Sequence, residues 1–328
     1  MMKLNLMQEV VATVNQQWES PLADTLLQHW DHDAGSAKYW RSSANFVFFF
    51  KRLGQDHVLR FNHASERTAK AIQAEIDYVN ALATSGIRVA QPVRSLAGAY
   101  VESIGTDQGV FHTVVFEALP GKQLELEELT PDQFVRWGKA LGEFHQAATH
   151  YTQPGRPTWQ DHLAFIAETL PAAETAARQT LTRLQQQLGE LSINAQNFGL
   201  IHFDFELDNL IWDEEQAGLI DFDDSAWYWF AADFAFALGD LFGDSAAKVD
   251  LQNESFRHFV EGYRLARPID QAELQRIPLF VSMSNLMTFA RLYRALTPVN
   301  PAGELPWMAG LRSKLAAKMQ FYRDEFSR

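Results

Sequence analysis

Residues 202 to 209 read HFDFELDN: one histidine and three acidic side chains among apolar ones, closed by an asparagine. Twelve residues beyond that asparagine stands Asp221, in the stretch LIDFDD. An aspartate in such a loop can accept the proton of an attacking hydroxyl and aim that hydroxyl in line with a phosphate. An amide oxygen and a second carboxylate are hard donors, which suit magnesium because it keeps waters and substrate phosphate oxygens in the rest of its shell. Asp204 is therefore the candidate base, and Asn209 and Asp221 are the candidate metal ligands, for metal-assisted phosphoryl transfer. Each has a plain alternative when taken singly: His202 as a core histidine orienting the loop, Asp204 as a turn residue, Asp221 as a strand-end cap. Their order and spacing together favour chemistry.

Asn209 and Asp221 can share an ion only if the chain between them doubles back. LIWDEEQAGLI allows this, because apolar flanks surround the turn-like centre DEEQAG. FGLIHFD supplies a strand leading into the loop. Upstream, AKYW, NFVFFF and HVLRF are short β-favouring runs separated by RSSA and KRLGQD, which predicts three antiparallel strands. RVAQPVRS, AYVES and FHTVVFEAL extend that sheet. Between them Ile72, Ile76, Val79 and Ala83 form one apolar stripe, predicting a helix capped by Ser65 and ended by Gly86. Residues 6–31 carry helical spacing broken at Pro21, giving two short helices as a cap.

Pro120 and Gly121 mark a joint, beyond which helical patterning dominates. One helix follows from PDQFVRWGKALGEFHQAATHY, with Phe134, Trp137, Leu141, Phe144 and His145 on or near one face. A second runs from Pro171, placed in its first turn, to about Leu191. Some three helices finish the chain. Its 328 residues suffice for two lobes.

Bulk composition excludes several classes. The chain has no cysteine, so disulfide scaffolds, thiolate metal sites and cysteine nucleophiles are ruled out. A formal charge of -13 would repel a nucleic-acid backbone. No window is apolar enough to predict a membrane span, and the start lacks a signal-peptide pattern, so a cytoplasmic protein without nucleic-acid or membrane partners is expected.

In this order of motifs the chain resembles the aminoglycoside phosphotransferase and choline kinase-like family, small-molecule relatives of the protein kinases. HFDFELDN, LIDFDD and AADFAFAL stand where that family carries its catalytic loop, its metal-binding strand and a helix with a structural aspartate. RSSANFVFFF resembles the turn that covers the nucleotide, HVLRF the strand with a phosphate-binding cation, QAEIDYVNALATSGIRVAQPV the helix with its acidic partner, and VVFEALPG the hinge. The resemblance implies an α+β, protein-kinase-like fold of two lobes. Residues 1–118 would form the nucleotide-binding lobe, with the helical cap at 6–31 and the antiparallel sheet and key helix at 36–118. Residues 119–328 would form the helical catalytic and acceptor-binding lobe.

It also implies roles. Arg60 would contact the α- and β-phosphates, held by Glu75 on the stripe side of its helix, with Lys51 as the fallback cation. Ser43 and Asn45 would touch the nucleotide, and backbone groups of Glu117 and Leu119 would meet the adenine edge. His202 and Asp233 would support the loop. Glu206, Asp224, Trp227 and Tyr228 would shape an acceptor pocket able to attract a cationic substrate, although the WYWF run is also ordinary core material. The cofactors implied are ATP, with GTP left open, and Mg²⁺. Phe203 stands where the family has glycine, and the turn over the nucleotide has only Ser42, Ser43 and Ala44 in place of glycines. The reaction expected is transfer of a γ-phosphate to a small-molecule hydroxyl; a protein serine/threonine kinase and a non-catalytic nucleotide-binding module remain open alternatives, and a metal-dependent hydrolase lacks a second histidine cluster.

Overall fold

The computed structural model of the protein describes residues 1–213, 216–243, 245–297 and 306–328. The chain divides into two compact units, 1–80 with 90–118 and 291–320, and 81–89 with 119–290 and 321–328. Two segments thus depart from a single switch after Ala118: 81–89 joins the second unit and 291–320 the first.

In the first unit, helices α1 (Leu4–Val11) and α2 (Pro21–Leu27) precede the sheet. Pro21 opens α2, the second of the two short helices expected, with Ser20 as its cap. Six strands follow: β1 (Lys38–Ser42), β2 (Phe46–Arg52), β3 (Gln55–His63), β4 (Pro92–Val93), β5 (Glu102–Thr106) and β6 (Gly109–Glu117), with helix α3 (Ala69–Thr84) between β3 and β4. The strand order is β1-β2-β3-β6-β4, with β5 also on β6, and every pairing is antiparallel. Alternation along the strands sorts the two faces. Phe46 and Phe48 stack on Phe61, which meets Phe111 edge-on, all fully buried. Burying each such ring contributes about 1.5–3 kcal/mol relative to leaving it exposed. On the opposite face Ile72 and Ile76 of α3 pack on Val114 and Phe116. Arg60, paired in register with Val47 and Val114, shares that helix-covered face.

Helix α3 begins later than the sequence suggests. Ser65 is occupied by His63, its hydroxyl lying 2.7 Å from Nδ1, and Thr68 receives the Ala71 N–H as the cap. Gly86, at φ +84, sits just beyond the other end, where only a residue without Cβ takes that conformation without strain.

The second unit contains α4 (Pro131–Ala148), α5 (Trp159–Thr169), α6 (Thr175–Gly189), strands β7 (Phe198–Ile201), β8 (Leu210–Trp212), β9 (Ala217–Leu219) and β10 (Ala226–Trp229), then α7 (Phe230–Ala237), α8 (Gly239–Phe242), α9 (Glu254–Ala266) and α10 (Gln271–Leu274). Helices α11 (Ile277–Leu296) and α12 (Pro306–Phe326) complete the described chain. Among the described residues six helices follow β10, against some three expected. The stretch 159–169, for which no element is expected above, forms α5 behind a reciprocal cap between Thr158 and Asp161. Pro171 is not in the first turn of α6; it heads a separate turn closed by the Glu174 N–H, and Arg323 holds the Glu174 carboxylate just ahead of the helix.

Strand β7 pairs with β10, and β8 with β9, both antiparallel. Helices α4 and α9 meet backbone to backbone. A Cβ on Gly138 would run into the Phe259 carbonyl, and one on Gly262 into the Val135 carbonyl. This close approach brings His145 on α4 to Tyr263 on α9.

Candidate active site

The loop after β7 is fixed by one buried side chain. Asp233, on α7, accepts the backbone N–H of Phe203 at 2.7 Å and that of His202 at 2.9 Å. His145 Nε2 donates to the same carboxylate at 3.0 Å, and the Tyr263 hydroxyl lies 3.0 Å from His145 Nδ1. Burial pushes the His145 imidazole below its ordinary range, outweighing the opposing effect of Asp233. A neutral ring donating from Nε2 must accept at Nδ1, so the Tyr263 hydroxyl donates; burial raises that hydroxyl's pKa and keeps its proton in place. His202 is itself fully buried and donates from Nε2 to the Ile220 carbonyl at 3.1 Å, tying the loop to the strand that leads into Asp221.

The candidate base and one candidate ligand touch. A single 3-10 turn over 207–209 returns Asn209 to the loop, and its Nδ2 donates to the Asp204 carbonyl at 2.8 Å and to Asp204 Oδ2 at 2.9 Å. The hairpin of β8 and β9 brings in the second ligand's segment: Leu210 pairs with Leu219, and the Ile220 N–H donates to the Asn209 carbonyl at 3.1 Å. Residues 214–215, within the run DEEQAG expected to turn, lie outside the described residues. Asp221 then leaves the strand at φ 61, ψ 65, a left-handed conformation uncommon for a residue with a Cβ. Asn209 Oδ1 is buried and has no hydrogen-bond partner among the described residues. A buried amide oxygen without a donor costs about 1–3 kcal/mol. With its amide nitrogen committed to Asp204, that oxygen is suited to a hard cation, and the donor set of one amide and one carboxylate fits Mg²⁺.

In the first unit Arg60 and Glu75 form a bidentate pair, both contacts at 2.7 Å and both side chains buried. The Arg60 guanidinium also lies 5.1 Å from the centre of the Phe116 ring. Lys51 instead pairs with Asp56 at the exposed end of the β2–β3 hairpin. Asn45 turns inward: its Oδ1 accepts from Asn62 Nδ2 at 2.6 Å, and Asn62 also holds the Ala44 carbonyl. Its side chain is thus part of what shapes the turn between β1 and β2, which has no glycine. The Ser43 carbonyl accepts the Met2 N–H, and the Glu117 N–H is spent on Gln91. Leu119 opens the second unit.

A family model described as the phosphotransferase enzyme family (APH) matches residues 37–269, well over half of the chain. The chain belongs to that family. Amicoumacin kinase of Bacillus subtilis (strain 168) is 26% identical over 280 residues, covering 81% of this chain and 82% of the relative. Among solved structures, amicoumacin kinase hAmiN in complex with AMP-PNP, Ca²⁺ and Ami superposes with TM-score 0.79 at 24% identity, covering 97% of this chain and 95% of the other. A microcompartment-associated aminopropanol kinase gives TM-score 0.70 at 25% identity, covering 91% and 94%. The fold is the α+β, protein-kinase-like one, and the protein is a small-molecule phosphotransferase with an alcohol group as acceptor.

Within this phosphotransferase the residues expected to shape the acceptor pocket separate. Glu206 is exposed, while Asp224 and Trp227 are half-buried. Tyr228 points to the opposite face of β10 from Trp227, is fully buried, and pairs with His162 Nδ1 at 2.9 Å; it packs, and lines no open surface. Phe203 has φ 70, which accounts for the family's glycine at this position. Its ring offsets the strain by packing against His162, Tyr228 and Phe236 at centroid distances of 4.8, 5.2 and 4.4 Å. Among the described residues, no helix is long and apolar enough to cross a membrane. Sequence patterning singles out neither Tyr263 nor Arg156. The latter is buried and donates to the carbonyls of Phe222, Asp223 and Ser225; the run PGRP, a rigid turn presenting a cation, is the signal that could have found it.

Proposed function

We propose that the protein is an ATP- and Mg²⁺-dependent kinase that transfers the γ-phosphate to a hydroxyl of a small, amine-bearing molecule, with Asp204 as the base. The observation that carries this reading is Asn209, which spends its amide nitrogen on Asp204 and leaves its buried oxygen without a donor beside the strand leading to Asp221. Asn209 and Asp221 hold the divalent ion, which when bound neutralises charge on the phosphate oxygens. The Asp204 carboxylate, its orientation fixed by Asn209, accepts the hydrogen bond of the acceptor hydroxyl and takes its proton as the oxygen attacks. Asp233 fixes where that carboxylate starts from, through the N–H groups of residues 202 and 203. Arg60, preorganised by Glu75, is assigned to the nucleotide phosphates, and Leu119 with the Glu117 carbonyl to the adenine edge. ATP and a divalent ion are supported by the hAmiN complex with AMP-PNP and Ca²⁺. An amine-bearing acceptor is supported by the aminopropanol kinase relative and by Glu206 and Asp224.

The reading is tested by measuring ADP release from Mg·ATP with amino alcohols, aminoglycosides, amino acids and sugars, with a protein substrate as control. Acceptor-dependent release that stops on chelation is expected. Nucleotide binding without divalent dependence, and no turnover with any acceptor, would contradict it.

A further inference from the structure

Asp221 stands at the end of β9 in a left-handed conformation, outside any strand ladder, and only a single 3-10 turn over 222–224 follows it. Such a turn has one internal bond of its own, from the Ser225 N–H to the Phe222 carbonyl at 3.0 Å. What grips it from outside is Arg156. Its Nε donates to the Ser225 carbonyl at 3.0 Å, and one terminal nitrogen donates to the carbonyls of Phe222, at 3.2 Å, and Asp223. The guanidinium is buried, so its charge is retained at a desolvation cost that these acceptors and the neighbouring acidic run must offset. The segment presenting it is itself anchored: the Trp227 N–H donates to the Pro157 carbonyl at 2.8 Å, Thr158 bridges to Trp227, and Thr158 caps α5. Gly155, at φ 115, turns the chain so that Arg156 faces inward.

We propose that Arg156 is a positioning residue for the metal ligand Asp221: by holding the carbonyls of Phe222, Asp223 and Ser225 on a planar guanidinium it fixes the left-handed turn from which that carboxylate reaches the divalent ion. This rests on the assignment of Asp221 as a ligand. Residues that orient a ligand from behind it change metal affinity by about 10–100-fold when altered. Lysine keeps the charge and much of the stem but offers a single point donor, so it cannot hold the Ser225 carbonyl from one nitrogen and those of Phe222 and Asp223 from another. Nucleotide affinity without metal does not pass through this turn.

The test is Mn²⁺ binding, read by electron paramagnetic resonance in the presence of a non-hydrolysable ATP analogue, on wild type, Arg156→Lys and Asp221→Asn. The analogue's own affinity is measured in chelator. Arg156→Lys is expected to weaken Mn²⁺ by at least about tenfold while leaving the metal-free analogue affinity unchanged, and to speed amide hydrogen exchange across 221–225. Wild-type Mn²⁺ affinity in Arg156→Lys, with affinity lost in Asp221→Asn, overturns the positioning role and leaves the metal site intact. Wild-type affinity in Asp221→Asn overturns the ligand assignment and the positioning role with it. If Arg156→Lys does not fold, Gly155→Ala takes its place, since it keeps the guanidinium but strains the turn that presents it; the same outcomes apply.

Discussion

Replacing Asp233 by asparagine changes one atom, yet three N–H donors converge on that carboxylate at 2.7, 2.9 and 3.0 Å. Asparagine has one acceptor oxygen. In its better orientation it keeps the two donors on one side and turns its NH₂ toward the third. The loss is then one hydrogen bond to an ionisable acceptor, about 1.5–3 kcal/mol, plus a buried N–H facing another donor, about 1–3 kcal/mol. A destabilisation of about 2.5–6 kcal/mol follows, a large share of the roughly 5–15 kcal/mol that holds a typical protein folded. Urea unfolding monitored by tryptophan fluorescence reads it directly, because Trp229 adjoins α7 and Trp137 lies on α4. Residual activity of folded Asp233→Asn should also fall, since the N–H groups that locate Asp204 lose an anchor. A change in unfolding free energy below about 1 kcal/mol would refute the view that this side chain organises the loop.

Three further outcomes follow from the same geometry. His145 is buried neutral in the native state but takes a proton in the unfolded chain below its ordinary value of 6.5. The unfolded state then binds more protons, so stability is level above that pH and falls below it, by up to about 1.4 kcal/mol per pH unit. Urea midpoints at several pH values should show the slope, and His145→Asn should flatten it to the residue left by His112, whose pKa is likewise lowered, by burial first and then by the charge of His63. Gly262→Ala should lower the unfolding free energy by about 1–3 kcal/mol or more, because the added methyl meets the Val135 carbonyl; calorimetry of the variant checks this. Arg60→Met should cost about 3–5 kcal/mol by leaving Glu75 buried without its partner, and adding Glu75→Leu should recover most of it, a cycle that denaturant titration can close.

Much of the site was legible because its chemistry is local in sequence. Asp204 and Asn209 are five residues apart and meet through a single turn, and the β8–β9 hairpin that brings Asp221's segment back follows from apolar flanks around a polar centre. The pairing of Arg60 with Glu75 was legible for a similar reason: strand alternation and the helix stripe put both on one face, where neither charge could be left alone. Side-chain contacts across long separations were not. Asn45 binds Asn62 on a neighbouring strand, and neither residue carries a pattern that announces it. Tyr263 meets His145 because glycines on α4 and α9 let the backbones touch, and glycine in a helix reads locally only as a weak helix former. Tyr228 was assigned to the acceptor side with Trp227, although adjacent strand residues must face opposite ways. Helix α5 was legible too, since Trp159, Leu163, Ile166 and Leu170 recur at helical spacing behind the Thr158–Asp161 cap.

The central claim is that Asp204 takes the acceptor's proton while the residues around it hold the metal and the loop. Single-turnover transfer from Mg·ATP to an acceptor identified by ADP release, compared for wild type and Asp204→Asn, tests it most directly. The account predicts a loss of about 10²–10⁴-fold in the transfer rate with nucleotide affinity changed by no more than about twofold. Transfer at the wild-type rate by Asp204→Asn would contradict it.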